Sequence, residues 1–229
     1  MEFRPCNRAN RLLTIRPALP LLVASVMALC AVRPAAAQVR VEVEPAFGVY
    51  NGLNSFTQPT PANPVNPGEA IAQGTALTFG VQATGWVGSG VGVRFLAFNA
   101  ASEVGLSEAN YFDVPDVPAN VTILGLEALW PLRPFASQLR VFLAGGIGLV
   151  LRGGDAYDGF QGTSDLGGLV GIGSRYVLSD RLSLQGDLQL ALYSLSLTGP
   201  TGLEYPSAFQ ADLLVTFGLA VTLTEGQEE

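Results

Sequence analysis

The chain has 229 residues, 48% of them hydrophobic and only 14% charged, with twelve arginines against nineteen carboxylates and neither lysine nor histidine. This is richer in apolar side chains than most soluble domains of this size and too acidic for a chain that grips the phosphates of nucleic acid. It is not a helical membrane protein either: only Ala18 to Val32 forms an apolar run, and a spanning helix needs about 20 residues.

The first predicted element is a leader. The apolar run follows an arginine-bearing start (Arg4, Arg8, Arg11, Arg16) and precedes Ala35-Ala36-Ala37, the tripartite arrangement that a secretory signal peptidase reads. Residues 1–37 are therefore expected to be a cleaved signal peptide. Cys30 follows Leu29 where a lipid-attachment motif wants a small residue, so no lipid anchor is expected. Both cysteines (Cys6, Cys30) lie in the leader, so the remainder has no thiol, which suits an oxidising compartment and excludes thiolate chemistry and cysteine metal sites. Beyond Ala37, seven arginines face eighteen carboxylates, a formal charge of −11.

From Val39 on, the chain reads as period-two segments rich in Val, Leu, Phe and Gly, separated by turn residues. The pattern predicts eight strands, at Val39–Tyr50, Ala76–Val87, Val91–Ala101, Val121–Trp130, Leu139–Gly153, Leu166–Leu178, Leu182–Leu197 and Gln210–Leu223. The first alternates Val39, Val41, Val43, Phe47 and Val49 with Arg40, Glu42, Glu44, Ala46 and Gly48. The last sets Val215, Phe217, Leu219, Val221 and Leu223 against Asp212, Thr216, Gly218, Ala220 and Thr222. The connections alternate in length. Gly88-Ser89-Gly90, Pro131 to Gln138 and Ser179-Asp180-Arg181 are tight, whereas Leu53 to Thr75, Ser102 to Asn120, Gly154 to Asp165 and Thr198 to Phe209 are long. An up-and-down transmembrane barrel has short periplasmic turns and long outer loops, and an even strand number puts both termini in the periplasm. The predicted fold is thus all-β, an eight-stranded antiparallel barrel over residues 38–223 with a short polar tail at 224–229.

A soluble sandwich also alternates, so the identity of each face decides between the two. On the fifth strand one face carries Leu139, Val141, Leu143, Gly145, Ile147, Leu149 and Leu151; the other carries Arg140, Phe142, Ala144, Gly146, Gly148, Val150 and Arg152. The small or charged face suits the narrow lumen of eight strands, which large aliphatic side chains are expected to overfill. Val215, Phe217, Leu219 and Val221 are then lipid-facing. Arg40, Arg94, Arg140, Arg152 and Arg175 share inward parity with Glu42, Glu44, Glu127, Asp187 and Asp212. Inward charges must be paired or hydrated, which predicts an arginine-carboxylate network, filled out by Gln82, Gln185 and Gln189, that plugs the lumen. Trp130, Phe135 and Tyr176 fall near the periplasmic ends, as an aromatic girdle would.

The run Gly171-Ile-Gly-Ser-Arg-Tyr-Val-Leu-Ser-Asp-Arg-Leu-Ser-Leu-Gln-Gly-Asp187 resembles a hairpin of small outer-membrane β-barrel proteins of the kind typified by the OmpA transmembrane domain and OmpX, and Leu143-Ala-Gly-Gly-Ile-Gly148 resembles their glycine-rich preceding strand. The resemblance implies an outer-membrane barrel in contact with outer-membrane lipid and inserted by the BAM machinery. One departure is the end of the chain, since such proteins usually finish on an aromatic residue and here Leu223 is followed by Thr224 to Glu229.

Outer-membrane barrels that deacylate lipid A, transfer palmitate or cleave phospholipid rely on a histidine base, and this chain has none. No catalytic residue, cofactor or metal site is assigned, and the chain is read as not an enzyme. Asp155 and Asp158 read as solvated loop charges. The acids beside aromatics in the outer loops (Glu108, Tyr111, Phe112, Asp113, Asp116; Asp155, Tyr157, Asp158, Phe160) offer a surface for an ion or an extracellular ligand. The function read from sequence is a structural or surface-interaction barrel with a plugged lumen. The alternatives are a small porin-like channel for small or hydrophobic solutes, and a loop-based adhesin.

Overall fold

The structure is a computed structural model, and the residues it describes are 39–54, 70–87, 91–107, 117–132, 138–198 and 207–223. The expected signal peptide (residues 1–37), Phe135, the acids and aromatics between 108 and 116, and the expected tail (224–229) lie outside them.

Eight antiparallel strands close into a barrel: β1 (Val39–Gly52), β3 (Ala76–Val87), β4 (Gly92–Ser107), β5 (Val117–Pro131), β6 (Leu139–Gly153), β7 (Ser164–Val177), β8 (Leu182–Leu195) and β9 (Ala208–Thr222). Each pairs with its neighbours in chain order, and β1 pairs with β9 through contacts such as Phe47↔Phe217 and Val49↔Val215. No barrel strand is therefore left with an open edge, the arrangement hydrocarbon demands of a sheet, because each unsatisfied backbone group there costs several kcal/mol. A further short strand, β2 (Ala70–Gln73), lies within the first long connection and pairs with β4 beyond the end of β3. The alternation in the sequence stops short on this side. β4 runs on to Ser107 and β5 starts back at Val117, further than Ala101 and Val121, because β2 supplies a partner that the loop composition of 53–75 hides.

The β1–β9 ladder is interrupted at Glu44 and Pro45 and resumes in the same register at Ala46↔Gly218. Proline has no N–H to donate. On its other side Pro45 still stands opposite Val81 of β3.

The interior corrects one expectation. Large apolar side chains do point inward: Leu96, Phe98, Ile123, Leu129, Leu169 and Leu214 are all buried. They fit because glycines stand where other strands would place a side chain. A Cβ at Gly125 would collide with Leu169 Cδ1, and one at Gly80 would collide with the ring of Phe98. The inward glycines thus do not leave the lumen empty; they make room for a neighbour's bulk. Gly125→Val is accordingly expected to destabilise the barrel by about 1–3 kcal/mol through overpacking, whereas the outward Gly168, with open space around it, should accept alanine nearly unchanged. Comparing the urea midpoints of the two variants in detergent micelles checks this.

Candidate functional site

Along the barrel axis the interior is built in three layers, and the parity of the strands places each. At the end with the tight turns, β4, β5 and β8 bring Arg94, Glu127 and Asp187 together. The Arg94 guanidinium sits 2.7 Å from Glu127 and 2.8 Å from Asp187, and all three side chains are sealed from solvent. Three glutamines donate to the carboxylates of this cluster. Gln189 donates to Glu127 at 3.0 Å, Gln185 to Asp187 at 2.8 Å, and Gln82 to the same Asp187 oxygen at 3.3 Å.

Beside this cluster, Arg175 on β7 is ion-paired to Glu42 on β1 and also donates to Gln185 at 3.0 Å. Glu42 is shared: it is also ion-paired to Arg40 at 2.8 Å and accepts from the Trp86 indole at 2.8 Å. The guanidinium of Arg175 lies 5.2 Å from the centroid of Trp86, and that of Arg94 lies 5.6 Å from the centroid of Phe142, so each cation also faces an aromatic ring. Arg140, half-buried, stands opposite Arg175 across the β6–β7 ladder. Glu44 lies buried over Gly218, where a Cβ would come within 2.6 Å of its Cγ. Among the described residues Glu44 makes no ion pair, unlike the other carboxylates of this layer.

Above lies an apolar layer of Ala46, Leu96, Phe98, Ile123, Val150, Leu169, Ala191 and Leu214. Beyond it, at the end with the long connections, comes a second polar layer. Arg152 on β6 pairs with Asp165 on β7 at 2.6 Å and donates to the Tyr193 hydroxyl, which in turn donates to Asp212 at 2.6 Å. Tyr193 also lies under the Arg152 guanidinium, 4.8 Å from ring centroid to cation. Sequence reasoning misses Asp165 and Tyr193. Asp165 sits at the strand's edge, where it reads as loop, and tyrosine on an inward face carries no periodic signal that separates it from core.

The inward charges therefore form two groups, with Arg152 and Asp212 on one side of the apolar layer and the remaining charges of the predicted network on the other. On the outside, Val215, Phe217, Leu219 and Val221 of β9 project away from the lumen, in line with the exposed Phe47 and Phe79 of β1 and β3. Trp130 and Tyr176 are exposed at the tight-turn end. Asp155 and Asp158 are exposed on and beside a single 3-10 turn, η1 (Asp155–Tyr157), whose tyrosine is buried. No group of three acidic, histidine or cysteine side chains among the described residues is disposed to hold a metal ion.

Closed, antiparallel and in simple up-and-down order, this is the fold of the small eight-stranded outer-membrane β-barrel proteins. The solved structure of the outer membrane protein AlkL in lipid bilayers superposes with a TM-score of 0.62, covering 86% of this chain and 96% of that one at 15% identity. OprG from Pseudomonas aeruginosa gives 0.58, covering 82% and 98% at 13% identity, and a major outer membrane protein from Thermus thermophilus gives 0.50, covering 81% and 99% at 14% identity. No family model matches the sequence, and the comparison with curated proteins gives no match.

Proposed function

We propose that residues 1–37 are removed on export and that the remainder resides in the bacterial outer membrane as a structural or surface-interaction barrel whose lumen does not pass solutes freely. The observation that carries this reading is the sorting of charge. Of the ionisable Arg, Asp and Glu side chains on described strands, all but Glu103, near the far end of β4, have inward parity, while the outward faces are apolar. A protein dissolved in water gains nothing from that inversion; one dissolved in lipid requires it. Tight turns then face the periplasm, long loops face outward, and Trp130 and Tyr176 lie at the inner interface. Insertion by the BAM machinery accompanies this reading, as does contact with outer-membrane lipid. The long acidic loops are the part available to an extracellular ligand.

Closure of the lumen follows from packing. The Arg94 cluster, the leucine and phenylalanine layer, and the Arg152–Tyr193–Asp212 chain stand in series along the axis, and each is tied across several strands. The purified monomer is expected to fractionate with outer membranes, to shift on a gel when boiled, and to give no large stable conductance in a planar bilayer. A stable open channel, or liposome swelling with small solutes, would favour the porin-like alternative instead. Solubility of the processed protein without detergent would refute membrane residence altogether.

A further inference from the structure

We propose that the tight-turn mouth of the barrel is an anion-binding face and that the acidic segment 224–229 of the same chain occupies it. The charges of the polar layer at that end balance as a whole, with Arg40, Arg94, Arg140 and Arg175 against Glu42, Glu44, Glu127 and Asp187, but they are sorted along the axis. All four carboxylates are buried, as are Arg94 and Arg175. The groups that reach water are Arg40, whose side chain is 27% exposed, and the half-buried Arg140. They stand on opposite walls, since three barrel strands separate β1 from β6 in either direction around the ring. Solvent at this mouth therefore meets guanidinium groups, with the compensating carboxylates sealed behind them. The tight connections do not reverse the sign: they carry Arg133 and Arg181 against a single acid, Asp180.

The segment that follows β9 has the opposite sign. Thr224-Glu-Gly-Gln-Glu-Glu229 carries three acidic side chains and no base, and it starts where the cations are. The Thr222 hydroxyl accepts from Arg40 Nη2 at 2.7 Å, the Thr222 N–H donates to the Arg181 carbonyl at 2.9 Å, and the Leu223 N–H donates to the Val41 carbonyl at 2.8 Å. The chain therefore leaves the wall beside Arg40. Six further residues reach at most about 20 Å, and eight tilted strands about 4.8 Å apart enclose a barrel about 16 Å wide, so Glu228 and Glu229 can meet Arg140 on the far wall while Glu225 stays with Arg40. A mouth with low-dielectric walls focuses the field of its charges, so attraction there exceeds that between exposed pairs on an open surface. Occupancy of this rim requires only the closed barrel and is independent of whether the lumen conducts.

The test uses a nitroxide at Gln227→Cys in the full chain in lipid nanodiscs, with Cys6→Ser and Cys30→Ser removing the other thiols. At low salt the label's spectrum is expected to contain an immobilised component, and raising the salt to about 1 M, where the Debye length falls to about 3 Å, should convert it to the mobile one. The variant Glu225→Gln/Glu228→Gln/Glu229→Gln, which alters no strand, should lower the ratio of immobilised to mobile label by about fivefold at low salt and abolish its salt dependence. Arg140→Gln should lower the ratio to the same extent, with a boiling-dependent gel shift certifying that the barrel is folded. Where Arg140→Gln does not fold, the segment variant and Arg181→Gln decide. An immobilised component that ignores salt and the segment variant, or the lack of any such component, would overturn the proposal. Release by Arg181→Gln without release by Arg140→Gln would overturn it too, because the segment would then lie against the turns and not across the mouth. Bilayer conductance is read separately, so either result leaves the closed-lumen reading to its own test.

Discussion

Replacing Arg94 by methionine is expected to lower the folding stability of the barrel by about 3–5 kcal/mol, read from urea titrations in detergent micelles. The Arg94 side chain is 0% exposed and holds two carboxylates at once. Without it, Glu127 and Asp187 remain buried with only glutamine amides to offset their charge, which is the situation that makes breaking a buried pair so much worse than never having built it. The triple replacement Arg94→Met with Glu127→Leu and Asp187→Leu removes the charges together and should recover most of the loss. If the single variant stays within about 1 kcal/mol of the parent, the cluster is hydrated in solution and does not close the lumen.

Phe217→Arg is expected to destabilise the barrel in liposomes by about 2–4 kcal/mol, the penalty for a cation on the lipid face near the bilayer midplane. Phe217 is 57% exposed and sits mid-strand on β9. Its neighbour Thr216 is 1% exposed on the opposite face. An arginine there would be hurt by crowding instead, so the informative control is Thr216→Val, which keeps the volume and removes a hydroxyl that has no hydrogen-bond partner among the described residues. That variant should lie within about 1 kcal/mol of the parent. Equal losses for Phe217→Arg and Thr216→Val would contradict the facing of the whole strand.

The facing of the strands was legible because alternation is a property of neighbouring residues. Val215, Phe217 and Leu219 report their side of the wall whatever the rest of the chain does. Strand ends were less legible where pairing, not composition, sets them: β4 continues past Ala101 to Ser107 because Gln73 and its neighbours on β2 pair with its last four residues, a contact between distant segments. The same limit applied to the lumen. Parity collected the charged residues, but parity cannot tell that Leu169 rests over Gly125 and Gly148, or that an apolar layer divides the arginines into two groups. Nor could it find the burial of Tyr157. A tyrosine between two aspartates reads as solvated loop, and only the positive-φ glycines on either side of it, which turn the chain inward, make it a buried residue.

The confinement of arginine has a practical consequence. Trypsin cleaves after lysine or arginine, and the long connections at one end of the barrel contain neither. Five of the seven arginines beyond residue 37 lie on inward faces, and the other two, Arg133 and Arg181, belong in sequence to the connections at the opposite end. A protease of this specificity has no target on one rim of the folded molecule and finds its candidate targets on the other, so the chain carries in its own residues a means of telling its two ends apart.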